Sequence, residues 1–137
     1  MTYLVSFAVP TIMILMLLPL VIADSRSGWR GKARGQAEER GFALLQAWLD
    51  PEQAKQWASR RAFEVLGCDT GTRYRITCGT AMNVHQLDQA GRRVARWCFV
   101  PKGGLVTGDI LLAQKIAIET MESQALKLAN TQVSYRH

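Results

Sequence analysis

Three cysteines and one histidine are the residues in this 137-residue chain best equipped for chemistry. Cys68, Cys78, Cys98 and His85 are soft metal ligands, or a thiolate with a potential base. Their spacing argues against both uses. Structural zinc sites carry closely paired ligands such as C-x2-C, whereas the gaps here are nine, six and twelve residues. A hairpin turning at Asp69 to Gly71 puts Cys68 beside the turn and Cys78 near its open end. At roughly 3.3 Å per residue the two lie about 17 Å apart, too far for one disulfide or one zinc ion. The expected state is three small buried thiols, and an odd count without close pairs fits a reducing compartment. Cys78, His85 and Cys98 stay together as a third-ranked reading, a small thiol or metal protein. The carboxylates Glu64, Asp69, Asp88 and Asp109 fall on a strand face, in two turns and at a helix start, where local backbone hydrogen bonding accounts for aspartate. The glycine-bearing stretches GTRYRITCG and PKGGLVTGD lack the GKS/T ending of a phosphate-binding loop. No catalytic residue, cofactor or metal is expected, and the chain reads as non-enzymatic.

Charge is the positive clue. The chain carries 17 Lys and Arg against 11 Asp and Glu, a formal net charge of +6. Arg73, Arg75, Arg92, Arg93 and Arg96 fall in its strand-forming half, with Arg60 and Arg61 just before it. They are the expected partner-binding surface, suited to an acidic protein, to anionic lipid headgroups or to nucleic acid. Nucleic acid is disfavoured. RNA binding calls for aromatics interleaved with the arginines on one face, whereas Tyr74 and Trp97 alternate out of phase with them.

The elements that position these residues follow from periodicity. Apolar residues at three- and four-residue spacing predict a helix from Gln36 to Leu49, with Phe42, Leu45 and Leu49 on one face. Asp50, Pro51 and Gln53 repeat the start signal for a second helix to about Arg60: a capping carboxylate, a proline and a side chain able to reach back. After Arg61 the period becomes two. Phe63 and Val65 alternate with Glu64, and Tyr74 and Ile76 alternate with Arg73 and Arg75, which predicts a hairpin. Strands over Met82–Leu87 and Val94–Val100 complete a three- or four-stranded antiparallel meander. A long helix from Gly108 to Asn130, capped by Thr107 or Asp109, is expected to cover it. On that helix Ile110, Ala117, Met121 and Leu128 form the apolar line, flanked by Leu111, Ile118 and Ala125, with Lys115, Glu119 and Glu122 opposite.

The stretches FEVLGCDTGTRYRI, MNVHQLDQAGR, WCFVPKGGLVTGDILLAQKIAIET and LAN, between Phe63 and Asn130, resemble a small uncharacterised bacterial domain family. The resemblance covers about half of the chain. It implies that this half is one folded unit, and it brings no activity, ligand or partner.

From Met1 to Ala23 no side chain is charged. As a helix, residues 2–23 would be about 33 Å long, enough for a hydrocarbon core of roughly 30 Å. Residues 1–24 are therefore expected to form a transmembrane anchor, 25–35 a basic juxtamembrane linker, and 36–137 a small α+β domain. Arg26, Trp29, Arg30, Lys32 and Arg34 are the expected membrane-interface residues. Basic flanks stay in the cytoplasm, so the orientation is N-terminus outside and domain inside, single-pass in the inner membrane. The rival reading is a signal peptide cut after Ala23 and a secreted chain, weakened by an uncharged start. An anchor, a linker and a compact domain without a reactive cluster describe an accessory or scaffold subunit of a larger membrane protein complex. The alternative is a tethered binding module for nucleic acid or an acidic ligand.

Overall fold

The computed structural model describes residues 31–133. The chain divides into two compact units, Met1–Ala37 and Glu38–His137, and the fold is that of the second. Residues 1–30, with the expected anchor, most of the linker and Arg26, Trp29 and Arg30, lie outside the described residues. Helices precede an antiparallel sheet and, before its last strand, pack on it, so the class is α+β as expected.

Helix α1 is described over residues 31–48 and already includes the five residues before the start that periodicity suggested. Residues 31–35 of the expected linker are thus helical, exposed and stripe-free. Each glycine there costs a helix only about 1 kcal/mol, which Ala33, Arg34 and the helix formers after them can offset. From α1, Leu45 enters the core, with Phe42 and Leu49 packed at its edge. Helix α2, Pro51–Arg60, begins as its sequence signal required. The Asp50 carboxylate accepts from the Gln53 N–H at 2.8 Å, while the Gln53 amide oxygen accepts from the Asp50 N–H at 3.2 Å.

Five strands form one sheet in sequential order: β1 Ala62–Leu66, β2 Arg73–Thr77, β3 Val84–Leu87, β4 Arg93–Cys98 and β5 Asn130–Val133. All neighbouring pairs are antiparallel. Strand β5 was not anticipated: the final helix stops at Leu128, Ala129 is extended, and the chain returns to pair with β4. Phe63, Val65, Tyr74, Ile76 and Val84 turn one sheet face into the core with Leu111, Leu112 and Ile118 of the final helix.

That helix, α3, spans Thr107–Leu128. Neither Thr107 nor Asp109 caps it. Val106 holds the cap position without a side-chain bond, and Glu38 of α1 supplies the acceptor instead, taking the Thr107 N–H at 3.0 Å. Helix α1 crosses here at backbone contact, where Gly41 faces Gly108; a Cβ on Gly108 would stand 2.1 Å from the Gly41 carbonyl carbon. The expected apolar line on α3 needs correction. Met121 has non-helical angles (φ −150°, ψ 42°), so α3 is two helical segments joined at a kink. An unbroken 3.6-residue wheel does not survive the kink. Glu122 is fully buried, Met121 is 47% exposed and Leu128 is 86% exposed. Lys115, expected on the outer face, is also buried and ion-paired with Glu119.

Candidate functional site

The outer face of the sheet collects the arginines. Tyr74 and Ile76 are buried beneath the sheet, so Arg73 and Arg75, which alternate with them, face outward. Register then fixes their neighbours. Glu64, Arg75, His85 and Arg96 stand opposite one another across β1 to β4, and Arg73 is in register with Leu87, which pairs with Arg93. Cross-strand neighbours on one face have Cβ atoms about 4.5–5.5 Å apart, so these side chains share one surface.

Charge on this surface is unbalanced. The Glu64 carboxylate serves three guanidinium groups: Arg75 at 2.9 Å, Arg60 at 3.4 Å and Arg73 at 3.8 Å. Arg73 also donates to the Asp88 and Gln89 carbonyls, and Arg96 donates through Nε to the Met82 carbonyl at 3.2 Å. Arg93 is exposed and has no carboxylate partner among the described residues. Two of the sequence's arginines are occupied elsewhere. Arg92 lies in the β3–β4 turn, paired with Asp88 at 2.7 Å. Arg61 stacks over the rings of Trp57 and Phe42, 4.2 and 4.7 Å from their centroids. His85, half-buried at the middle of the row, has its pKa lowered by burial and by Arg93, Arg96 and Arg75, against a backbone hydrogen bond at Met82 that favours the cation. The face is therefore cationic, its guanidinium groups greatly outnumbering its carboxylates.

The cysteines do not converge. Cys68 lies in the β1–β2 turn and Cys78 follows β2, with its N–H donated to the Arg61 carbonyl at the open end of the hairpin. Cys98 closes β4 opposite Asn130, far along the sheet from that turn. All three are free, and the expectation of buried thiols fails: Cys68 and Cys78 are exposed because they fall just beyond strand ends. Cys78, His85 and Cys98 do not form a ligand cluster among the described residues.

The cluster that does form was not anticipated. Cys68, Asp69 and Glu122 bring their ligand atoms within 4.8 Å of one another. Glu122 accepts from the Asp69 and Thr70 N–H groups at 2.9 Å, from the Thr70 hydroxyl at 2.6 Å and from the Tyr74 hydroxyl at 2.7 Å. In return Asp69 accepts from the Ser123 N–H at 2.9 Å, and the Cys68 sulfur accepts from the Glu122 N–H at 3.4 Å. Turn and kink thus cap each other. Burial raises the Glu122 pKa, but hydrogen bonds from Thr70, Tyr74 and the turn amides outweigh it and leave the carboxyl below its ordinary value. Tyr74 is pushed up by burial and by the same carboxylate. Both Glu122 oxygens are already engaged by protein donors, which makes the cluster a structural clasp. Gly67 permits it: a Cβ there would stand 2.2 Å from the Glu122 carboxyl carbon.

Beside α3 and the end of β4 runs an apolar groove of about 510 Å³, lined by Phe99, Val100, Pro101, Ala117, Met121 and Leu128 among others and by no charged residue. Of the expected membrane-interface residues, Lys32 and Arg34 are exposed on α1. No helix among the described residues is long and apolar enough to cross a membrane. Compared with protein-family models, curated proteins and solved structures, the chain gives no match.

Proposed function

We propose that the chain is a non-enzymatic accessory or scaffold subunit, anchored in the inner membrane by residues 1–24, that holds its basic domain against an acidic surface of a larger membrane assembly. The observation that carries this reading is the cationic sheet face, where Arg60, Arg73 and Arg75 share one carboxylate, Glu64, while Arg93 and Arg96 on β4 have no carboxylate partner among the described residues. A surface of one sign attracts and orients an oppositely charged partner. The uncharged segment Met1–Ala23 and the basic residues after it support the anchor and its orientation. Anionic headgroups are the second surface such a domain would meet. Nucleic acid fits less well, because Tyr74 is buried beneath the sheet and Trp97 packs against the core, leaving no aromatic platform among the arginines.

Membrane fractionation tests the anchor. The full chain should stay with the membrane pellet through alkaline carbonate and high salt, with the mass of the uncleaved polypeptide. A carbonate-soluble chain beginning at Asp24 would contradict the reading and favour secretion.

A further inference from the structure

We propose that Arg75, His85 and Arg96 form a carboxylate-binding row, and that an acidic segment of a partner protein occupying it draws a proton from solvent onto His85, so that binding tightens as pH falls. The inference rests on the reading of the arginine face as a receptor for an acidic protein surface. Its geometry is the register of β2, β3 and β4, which sets Arg75 opposite His85 and His85 opposite Arg96. The β1 end of the row already holds a carboxylate, Glu64, which accepts from Arg75 Nη2 at 2.9 Å and Nε at 3.2 Å. The β3–β4 end has no counterpart among the described residues. A carboxylate from outside would complete the alternation of charge there.

A second feature marks the same place. Met82, just before β3, adopts φ +50°, a left-handed conformation that costs a non-glycine residue about 1–3 kcal/mol. Its carbonyl receives Arg96 Nε at 3.2 Å and favours a proton on His85. The strained turn thus fixes Arg96 beside the imidazole.

The groups around His85 are Arg75 and Arg73 from β2, Arg93 and Arg96 from β4, the Met82 carbonyl, and Glu64 beyond Arg75 with Arg60 of α2 beside it. Burial and the surrounding cations together disfavour the imidazolium in the free protein. A bound carboxylate offsets that repulsion and gives an imidazolium a charged acceptor. The complex then binds more protons than its components, and by linkage its affinity rises as pH falls.

The test uses the full chain in detergent micelles at low salt with poly-L-glutamate as probe, titrated at pH 8 and pH 6. Affinity should rise several-fold at the lower pH, with a ceiling of about tenfold per pH unit for one proton. The proton resonance of the His85 ring, distinguished from His137 by His137→Ala, should titrate at higher pH when the probe is bound. His85→Gln should bind more weakly and lose the pH dependence. Binding without a pH gain, or a gain that survives in His85→Gln, overturns the proton link while leaving the receptor reading intact. Binding of inorganic phosphate without poly-L-glutamate overturns the carboxylate assignment. Absence of binding at both pH values overturns the inference and the receptor reading together.

Discussion

Glu122 is where a single side chain decides the most. A buried carboxylate that accepts from two backbone amides and two hydroxyls is stabilised as the anion, and removing the charge leaves donors unmatched. Glu122→Gln should lower unfolding stability by about 2–4 kcal/mol in urea titrations. The sign with pH follows from its lowered pKa. Folding then favours the deprotonated form, so this contribution is complete above the unfolded value near 4.5 and is lost as pH falls through the folded value. The stability gap between wild type and Glu122→Gln should therefore narrow as pH falls through the folded value, and a gap that widened toward low pH would contradict the clasp. None of this was legible in the sequence. On an unbroken helical wheel Glu122 lies with Glu119 on the outer face, and the kink at Met121 that turns it inward depends on a turn more than fifty residues away. On the arginine face, Arg73 and Arg75 were legible because strand alternation needs only neighbouring residues, whereas Arg92 lies in a turn and Arg93 and Arg96 come onto one face through the register shift at Gln86 and Leu87.

At the scale of elements, the local start signal of α2 was read correctly, whereas the local cap expected at Thr107 or Asp109 and the long-range features were not. The α2 capping box lies within four consecutive residues, Asp50 to Gln53, and folded as expected. The α3 cap comes from Glu38, and β5 finds its partner across the whole of α3; neither leaves a local pattern. The α1–α3 crossing depends on Gly41 and Gly108 meeting at backbone distance. Gly108→Ala should force the helices apart and cost about 1–3 kcal/mol, seen as a lower thermal midpoint by circular dichroism. An unchanged midpoint would contradict the close crossing. Strand β1 is a sheet edge, and α2 blocks it: Gln56 accepts the Glu64 N–H at 2.8 Å and Gln53 donates to the Glu64 carbonyl at 3.0 Å. An unpaired edge invites pairing with another chain. Gln56→Ala should increase self-association in sedimentation velocity, and a species distribution identical to wild type would argue against edge protection.

Across the whole molecule, the surfaces that hold the domain together are distinct from the basic face turned outward. The core, the clasp and the α1–α3 crossing use the inner sheet face, so the arginines outside can change without dismantling the fold. Exposed ion pairs such as those around Glu64 contribute little to stability, typically 0 to about 1 kcal/mol. Reversing Arg96 and Arg93, whose side chains are not spent on Glu64, removes only the Arg96 bond to the Met82 carbonyl and should lower stability by no more than about 1.5 kcal/mol while inverting the sign of the β4 surface. The measurement that bears most directly on the central claim is gentle detergent extraction of native membranes carrying wild type or Arg93→Glu/Arg96→Glu, with mass analysis of what copurifies. The account predicts one stoichiometric partner with wild type, and its loss or sharp depletion from the variant, which itself stays folded and membrane-bound. The same partner recovered equally with both chains, or none with either, would contradict the claim that this face is the binding surface.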